Sequence, residues 1–277
     1  MTPTVSVLIP ANDEAAYIGA CLRALLASDP VPGHSLEALV IANGCRDDTA
    51  DIARALIPQA AAQGWHLEVI ARAEGCKIGA LNAGDAAARG AIRVYLDADT
   101  LLSPPLLAAL VTALDQDAPR YATGTPRIVP PQSWVTAQYA RFWQRVPFMQ
   151  SGAPGFGLFA VNAAGRARWG QFPKIISDDT FARVNFTPAE RVQVGATYAW
   201  PMVEGVRRLV RVRRRQDHGV AEIAARYPHL IGNEGKPPMA LPALMRRDPI
   251  GFAVYASVAL LVRLGARGTP QAWTRGR

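Results

Sequence analysis

Two carboxylates stand two residues apart in Asp97-Ala98-Asp99, directly after the apolar run Ala91–Leu96. A pair so placed can share a divalent cation. Mg²⁺ and Mn²⁺ prefer hard oxygen ligands and commonly bridge protein carboxylates to substrate phosphates. A solvated turn or a helix cap ahead of Thr100 is the plainer use of the same residues. Asp178-Asp179 is a second acidic pair. Adjacent carboxylates repel, which suits one of them to accept a proton, and the same residues suit the N-terminus of a helix over 180–184. Lys77 follows an apolar strand at the start of a helix, where a cation and free N–H groups meet phosphates well. Gly152-Ala-Pro-Gly-Phe-Gly157 allows its backbone, at Gly155, Phe156 and Gly157, to approach a substrate closely, but it matches no phosphate-binding glycine motif. Six arginines (207, 208, 211, 213, 214 and 215) crowd into nine residues. On a helix, 207, 211, 214 and 215 share a face able to hold diphosphates or anionic headgroups, with His218 just beyond.

Alternating elements must position these groups. Val5–Ile9, Leu36–Ala42, Leu67–Ala71 and Ala91–Leu96 read as short buried strands. Between them, Ile18–Leu26, Thr49 to about Ala62 and Ile78–Arg89 read as helices. Three strand–helix units and a fourth strand predict a doubly wound sheet. Ligands then sit beyond the carboxyl ends of the strands, at Pro10–Glu14, Asn43–Asp48, Arg72–Lys77 and Asp97–Asp99. Further on, the pattern predicts helices over Pro104–Gln116, Trp134–Arg145, Glu204–Gln216 and Pro249–Leu264, a helix starting near Asp178, and strands over Tyr121–Val129 and Leu158–Val161. The expected division is an α/β domain over 1–215 with a C-terminal helical extension over 216–277.

Composition narrows the partners. Residues 1–100 carry 7 basic and 12 acidic side chains and residues 101–277 carry 23 and 10, so the net charge of +8 is concentrated in the second part. That part is expected to face something anionic. Nucleic acid is not the expected partner: the arginines sit on one short helix, no nucleic-acid motif is present, and the first part is acidic. Three widely spaced cysteines fit a reducing compartment and exclude a disulfide framework. The N-terminus does not read as a signal peptide, since Asp13 and Glu14 come too early. Pro249–Val262 is apolar with arginines on both sides, but it is too short to span a bilayer. It suits an interfacial helix on an anionic membrane, or equally a core helix.

Together these segments resemble the family 2 glycosyltransferases of the GT-A fold, over roughly residues 3–215. Val5-Ser-Val-Leu-Ile-Pro-Ala-Asn-Asp-Glu14 is similar to the family's opening strand and P-x-x-N-E nucleotide loop. Asn43-Gly-Cys-Arg-Asp-Asp-Thr49 resembles its D-G-S-x-D-x-T turn, with Asn43 in place of the acidic residue. Lys77-Ile-Gly-Ala-Leu-Asn82 matches K-x-x-A-L-N, and Leu96-Asp-Ala-Asp-Thr100 matches L-D-A-D-T. Gly157-Leu-Phe-Ala-Val161 resembles the acceptor-side strand, and Asp178-Asp179 stands where the family has E-D. The Q-x-x-R-W motif is absent as such, and the arginine helix lies in roughly that region.

The resemblance implies an α/β, Rossmann-like doubly wound mixed sheet with a C-terminal helical appendage. It implies an inverting glycosyltransferase that takes a sugar from a nucleoside-diphosphate donor, with UDP-sugar expected. The nucleotide would contact Pro10, Ala11, Asn12, Glu14, Asn43, Lys77 and Asp97. Asp97 and Asp99 would hold Mg²⁺ or Mn²⁺, and Arg211, Arg214, Arg215 and His218 would face the diphosphate. Asp179, next to Asp178, would be the general base for a hydroxyl of a saccharide or polyprenyl-diphosphate-linked acceptor. The C-terminal third resembles bacterial exopolysaccharide and lipid-linked-saccharide transferases, which implies a cytoplasmic protein, peripheral on the cytoplasmic face of the inner membrane. Two other readings differ in their requirements. A sugar nucleotidyltransferase needs a glycine- and arginine-rich signature after the first strand, where Pro10-Ala-Asn-Asp-Glu14 stands. A non-catalytic polyanion- or membrane-binding module leaves both acidic pairs without a role.

Overall fold

The computed structural model describes residues 4–235 and 237–265. The chain divides into two compact units, each drawing on several stretches of sequence. The first comprises Met1–Pro126, Gly155–Lys174 and Ala189–Trp200. It carries an eight-stranded sheet: β1 (Thr4–Ala11), β2 (Ser35–Asn43), β3 (Trp65–Arg72), β4 (Ile92–Leu96), β5 (Leu101–Leu102), β6 (Tyr121–Ile128), β7 (Leu158–Val161) and β8 (Arg191–Trp200). The spatial order is β3-β2-β1-β4-β7-β6-β8-β5. Strands β1 to β4 pair in parallel, while β7 runs antiparallel to β4 and β6, and β5 runs antiparallel to β8. The sheet is therefore mixed, as the resemblance implies.

Strands β1, β2 and β4 are nearly continuous apolar runs because helices cover the parallel part. The helix Ile18–Leu26 buries Ile18, Cys21, Leu22, Leu25 and Leu26 against it. Inside, Glu37 is buried but paired. Ser6 Oγ donates to it at 2.5 Å, and Arg89 donates from its backbone N–H at 2.6 Å and its Nε at 2.7 Å. Burial disfavours its charge, yet these donors outweigh that and hold the carboxyl below its ordinary range.

The expected helix from Thr49 to Ala62 is two helices, Thr49–Arg54 and Ile57–Ala62. Pro58 explains the break: it has no N–H for the preceding turn, and its ring is tolerated only in a first turn. The two-residue strand β5 and the ten-residue strand β8 were not among the expected elements. In β8, Val194, Ala196, Tyr198 and Trp200 alternate toward the core, a period-2 signal present in the sequence.

The second unit comprises Arg127–Pro154, Ile175–Pro188 and Pro201–Arg277. Its described helices are Trp134–Trp143, Pro147–Ser151, Asp178–Val184, Val206–Arg226, Leu241–Arg247 and Pro249–Leu264. Tyr139, Leu209, Val258 and Val262 form its apolar centre. Phe142 stacks edge-on against Phe252, with ring centres 5.7 Å apart, and lies 5.1 Å from Tyr255. The helix Val206–Arg226 is ten residues longer at its C-terminal end than the pattern suggests and runs unbroken through residues 215 and 216. Its Gly219 does not stop it. A side chain there would strike Ser177, so the glycine serves close packing. Among the described residues, no helix is long and apolar enough to cross a membrane.

Candidate active site

In the first unit, four strand ends are laced together. Asn12, just past β1, donates from Nδ2 to the carbonyls of Asn43 (2.6 Å) and Gly44 (3.2 Å). In return, Asn43 Nδ2 donates to the Ala11 carbonyl at 2.8 Å. Asn43 is buried, so its side chain fixes the β1 and β2 loops to one another. Beyond it, the backbone N–H of Glu14 donates to Thr49 Oγ1 at 2.7 Å, and that of Ala15 donates to Asp47 at 3.0 Å. Asp47 also accepts from the Thr49 hydroxyl and N–H. Burial opposes its ionisation, but these donors prevail and hold the carboxyl below its usual range.

Gly44 has φ +63, and a Cβ there would fall 2.6 Å from the Gly75 nitrogen. The β2 and β3 loops thus touch backbone to backbone, and only glycine fits. Between the loops lies a cavity of about 460 Å³ lined by Asn12, Asp13, Gly44, Cys45, Arg46, Arg72, Ala73 and Gly75. That volume suits a nucleotide-sized ligand. Cys45, Arg46, Arg72 and Ala73 were not singled out as contact residues, but they lie within Asn43–Asp48 and Arg72–Lys77, the strand-end stretches where a ligand is expected. Their place at the carboxyl ends of predicted strands was the available signal.

Lys77 opens the helix Lys77–Ala87, and its Nζ lies 3.0 Å from Asp97 Oδ1. Asp97 is anchored through its backbone: its N–H donates to the Gly157 carbonyl at 2.9 Å, and its own carbonyl accepts from Thr100 N–H at 3.0 Å in a tight turn. The turn presents Asp97 and Asp99 at the end of β4. Gly157, at φ +73, leaves no room for a side chain, with Thr100 and Trp200 against it. Phe156 packs on Trp200 with ring centres 4.7 Å apart, and Tyr198 donates its hydroxyl to the Phe156 carbonyl at 2.8 Å. The Gly155–Gly157 loop and the metal-type acid pair are therefore direct neighbours, and Trp200 joins them unforeseen. Asn82, the last residue of the K-x-x-A-L-N segment, clamps Phe172 by accepting from its N–H (2.7 Å) and donating to its carbonyl (3.1 Å).

Another group of metal-capable side chains, Asp13, Cys45 and Asp47, gathers at the cavity mouth. Its carboxylates already accept backbone N–H groups, Asp13 from Arg46 at 2.5 Å, so it reads as a loop latch.

The second unit holds the other expected site residues. Asp178 is buried at the start of its helix, and Asp179 Oδ1 accepts from Thr180 N–H at 2.6 Å. The segment before the pair is held by the arginine helix: Glu222 accepts from Ile176 N–H at 2.9 Å, and Gly219, beside His218, packs on Ser177. Arg183, fully buried, donates to the Glu234 carboxylate at 2.7 Å and lies 5.0 Å from the Phe148 ring centre. The arginines of the long helix differ in task. Arg213 donates to Tyr139 at 2.9 Å, and Arg214 donates to the carbonyls of Leu261 (2.7 Å) and Val262 (3.3 Å). Arg211 is exposed and Arg215 half-buried.

A mixed sheet whose parallel strands end on a nucleotide-sized cavity, beside a lysine-paired D-x-D turn, defines a GT-A glycosyltransferase. The chain belongs to the family described as Glycosyl transferase family 2, which it matches over residues 6–169. It is an enzyme of the glycosyltransferase type. Solved structures share its fold. A mannosyltransferase, PcManGT, from Pyrobaculum calidifontis, solved with GDP-Man and Mn²⁺, is 20% identical with a TM-score of 0.63, the match covering 97% of this chain and 77% of that one. S. aureus TarS, residues 1–349, is 14% identical with a TM-score of 0.53, covering 95% and 73%. Glucosyl-3-phosphoglycerate synthase from Mycobacterium tuberculosis, solved with Mn²⁺, UDP and glucosyl-3-phosphoglycerate, is 21% identical with a TM-score of 0.53, covering 81% and 80%. A search of curated proteins gives no match.

Proposed function

We propose that the chain is a metal-dependent, inverting glycosyltransferase that moves a sugar from a nucleoside-diphosphate sugar to a hydroxyl of a saccharide or lipid-linked acceptor. The observation that carries this reading is the Lys77–Asp97 contact at 3.0 Å, next to the cavity at the ends of β1 to β3. Asp97 offers a hard anionic oxygen that already attracts a cation, and Asp99 supplies a second two residues on. That donor set fits Mg²⁺ or Mn²⁺. Solved neighbours bound to Mn²⁺ with UDP or GDP-Man support the same assignment. A bound divalent ion supplies charge stabilisation to the departing diphosphate.

The remaining work falls to this chain's residues. The base and ribose are taken by Pro10, Ala11, Asn12, Glu14 and the Asn43 loop, with Arg46 and Arg72 in the cavity wall. Lys77 lies where it can exchange Asp97 for a phosphate oxygen. Gly155, Phe156 and Gly157 border the acceptor, and the Phe156–Trp200 pair supplies aromatic surface of the kind sugars pack on. Asp179 removes the acceptor proton, assisted by Asp178, so that the hydroxyl attacks from the face opposite the diphosphate and inverts the anomeric centre. On the arginine helix, Arg211, Arg215 and His218 are the groups assigned to the diphosphate, while Arg214 serves chiefly in packing. Three unpaired cysteines support a reducing, cytoplasmic setting.

The test is a panel of UDP-, GDP- and dTDP-sugars followed by thermal shift with and without Mn²⁺ or Mg²⁺. Metal-dependent stabilisation by one base series is expected. No stabilisation by any nucleotide sugar would overturn the reading.

A further inference from the structure

The helix Pro249–Leu264 buries one side and leaves the other bare. Gly251, Val258 and Val262 face the second unit's apolar centre. On the opposite side, Ile250, Leu260 and Leu264 are 54, 56 and 69% exposed, and Leu261 is exposed beside them. At 100° per residue, Ile250, Leu260, Leu261 and Leu264 fall within an arc of about 100°. Ser257, at its centre, is the polar member of the exposed face. The helix that precedes it, Leu241–Arg247, adds exposed Leu241 and Met245.

Along the chain from residue 237 onward, the exposed charge has one sign. Arg246, Arg247 and Arg263 are exposed. The only acidic residue from 237 to the C-terminus is Asp248, which is buried and bonded to Arg141 at 2.6 Å and Arg145 at 2.6 Å. At the far end of the helix, Arg214 fills the carbonyls of Leu261 and Val262. Those carbonyls would otherwise need water, so the helix end tolerates a dry environment.

We propose that this ridge docks on an anionic lipid bilayer, with Ile250, Leu260, Leu261 and Leu264 in the headgroup–acyl boundary and Arg246, Arg247 and Arg263 against lipid phosphates. Sixteen residues give a helix of about 24 Å, shorter than the roughly 30 Å hydrocarbon core, so it lies in the interface rather than across it. The proposal deepens the acceptor side of the reading above. It nevertheless stands on surface chemistry alone, so its failure leaves the donor assignment intact.

Flotation of the full chain with phosphatidylcholine vesicles, with and without phosphatidylglycerol, tests it. Binding is expected only to the anionic vesicles, weakened at about 0.5 M NaCl by screening. The double variant Leu260→Glu/Leu264→Glu should bind at least about tenfold more weakly. Arg246→Glu/Arg247→Glu should lose the preference for phosphatidylglycerol. Both should keep wild-type nucleotide-induced thermal shifts, which shows that they fold. If the leucine variant is unfolded, Arg263→Glu with the arginine pair carries the test. Equal binding by the variants, or no binding to either vesicle, overturns the proposal. So does a dimer by light scattering that Leu260→Glu/Leu264→Glu dissociates, since the ridge would then cover a second copy.

Discussion

The ammonium of Lys77 lies 3.0 Å from Asp97 Oδ1, pairing the first residue of a helix with the residue that follows β4. Both side chains are partly exposed, and such a pair adds only about 0–1 kcal/mol to stability. Lys77→Met should therefore leave the melting temperature almost unchanged. Nucleotide-sugar affinity should fall about tenfold, as expected for a lost charge-assisted contact to phosphate. Calorimetric titration beside a melt separates the two effects.

Asp97→Asn and Asp99→Asn each remove an anionic oxygen without changing shape. Titration with UDP and GDP should show the Mn²⁺-dependent part of binding gone in both. Transfer should fall by about two orders of magnitude or more, the scale of losing charge stabilisation at a leaving group. Retained metal dependence in both variants would move the metal elsewhere.

Asp179→Asn keeps the hydrogen bond to Thr180 N–H available but removes the base. Transfer should drop by about 10²–10⁴-fold, the usual contribution of general base catalysis, while metal-dependent nucleotide binding survives. Normal transfer by this variant would show that Asp179 is not the base.

Gly157→Ala forces an L residue into φ +73 and sets its Cβ 2.8 Å from Thr100 Oγ1. A cost of about 1–3 kcal/mol is expected, read by denaturant unfolding. Because the Gly157 carbonyl holds Asp97 N–H, metal affinity should weaken too, which ordinary destabilisation would not require.

Asp248 caps the helix Pro249–Leu264 through Gly251 N–H at 3.0 Å and accepts from Arg141 and Arg145. Burial alone would raise its pKa, but these partners lower it below 3.8. A depressed carboxyl gives stability that is complete above the unfolded value and lost as pH falls through the folded one. The wild type should thus weaken below about pH 4. Asp248→Asn should already be destabilised at pH 7, by about 1.5–3 kcal/mol, with a shallower acid slope. Urea melts from pH 3 to 7 check both.

The parallel part of the sheet was legible because β1, β2 and β4 are buried on both faces and read as uninterrupted apolar runs. The D-x-D turn and Lys77 were legible because their strand-end positions follow from that reading. Trp200 was not, since it belongs to β8, whose alternation is interrupted by Gly195, a residue that weakens a strand pattern. The split at Pro58 was available from local rules, yet the surrounding alanines suggested one helix. The separate duties of Arg213 and Arg214 escaped the pattern altogether. A helical wheel places Arg214 on the basic face and leaves Arg213 off it, whereas their partners Tyr139, Tyr255, Leu261 and Val262 come from helices far away in sequence.

Strands β4 and β5 are separated by only residues 97–100, yet three strands, β7, β6 and β8, lie between them in the sheet. Four strand spacings in a flat sheet are about 19 Å. The linking residues do not run straight, since Thr100 folds back onto Asp97. The sheet must roll its edge inward, and the D-x-D turn is the clasp that closes the roll. The separation of the two carboxylates is thereby tied to the curvature of β7, β6 and β8. A substitution in β6 or β8 that flattens the sheet would pull the clasp open and act on the acid pair from a distance.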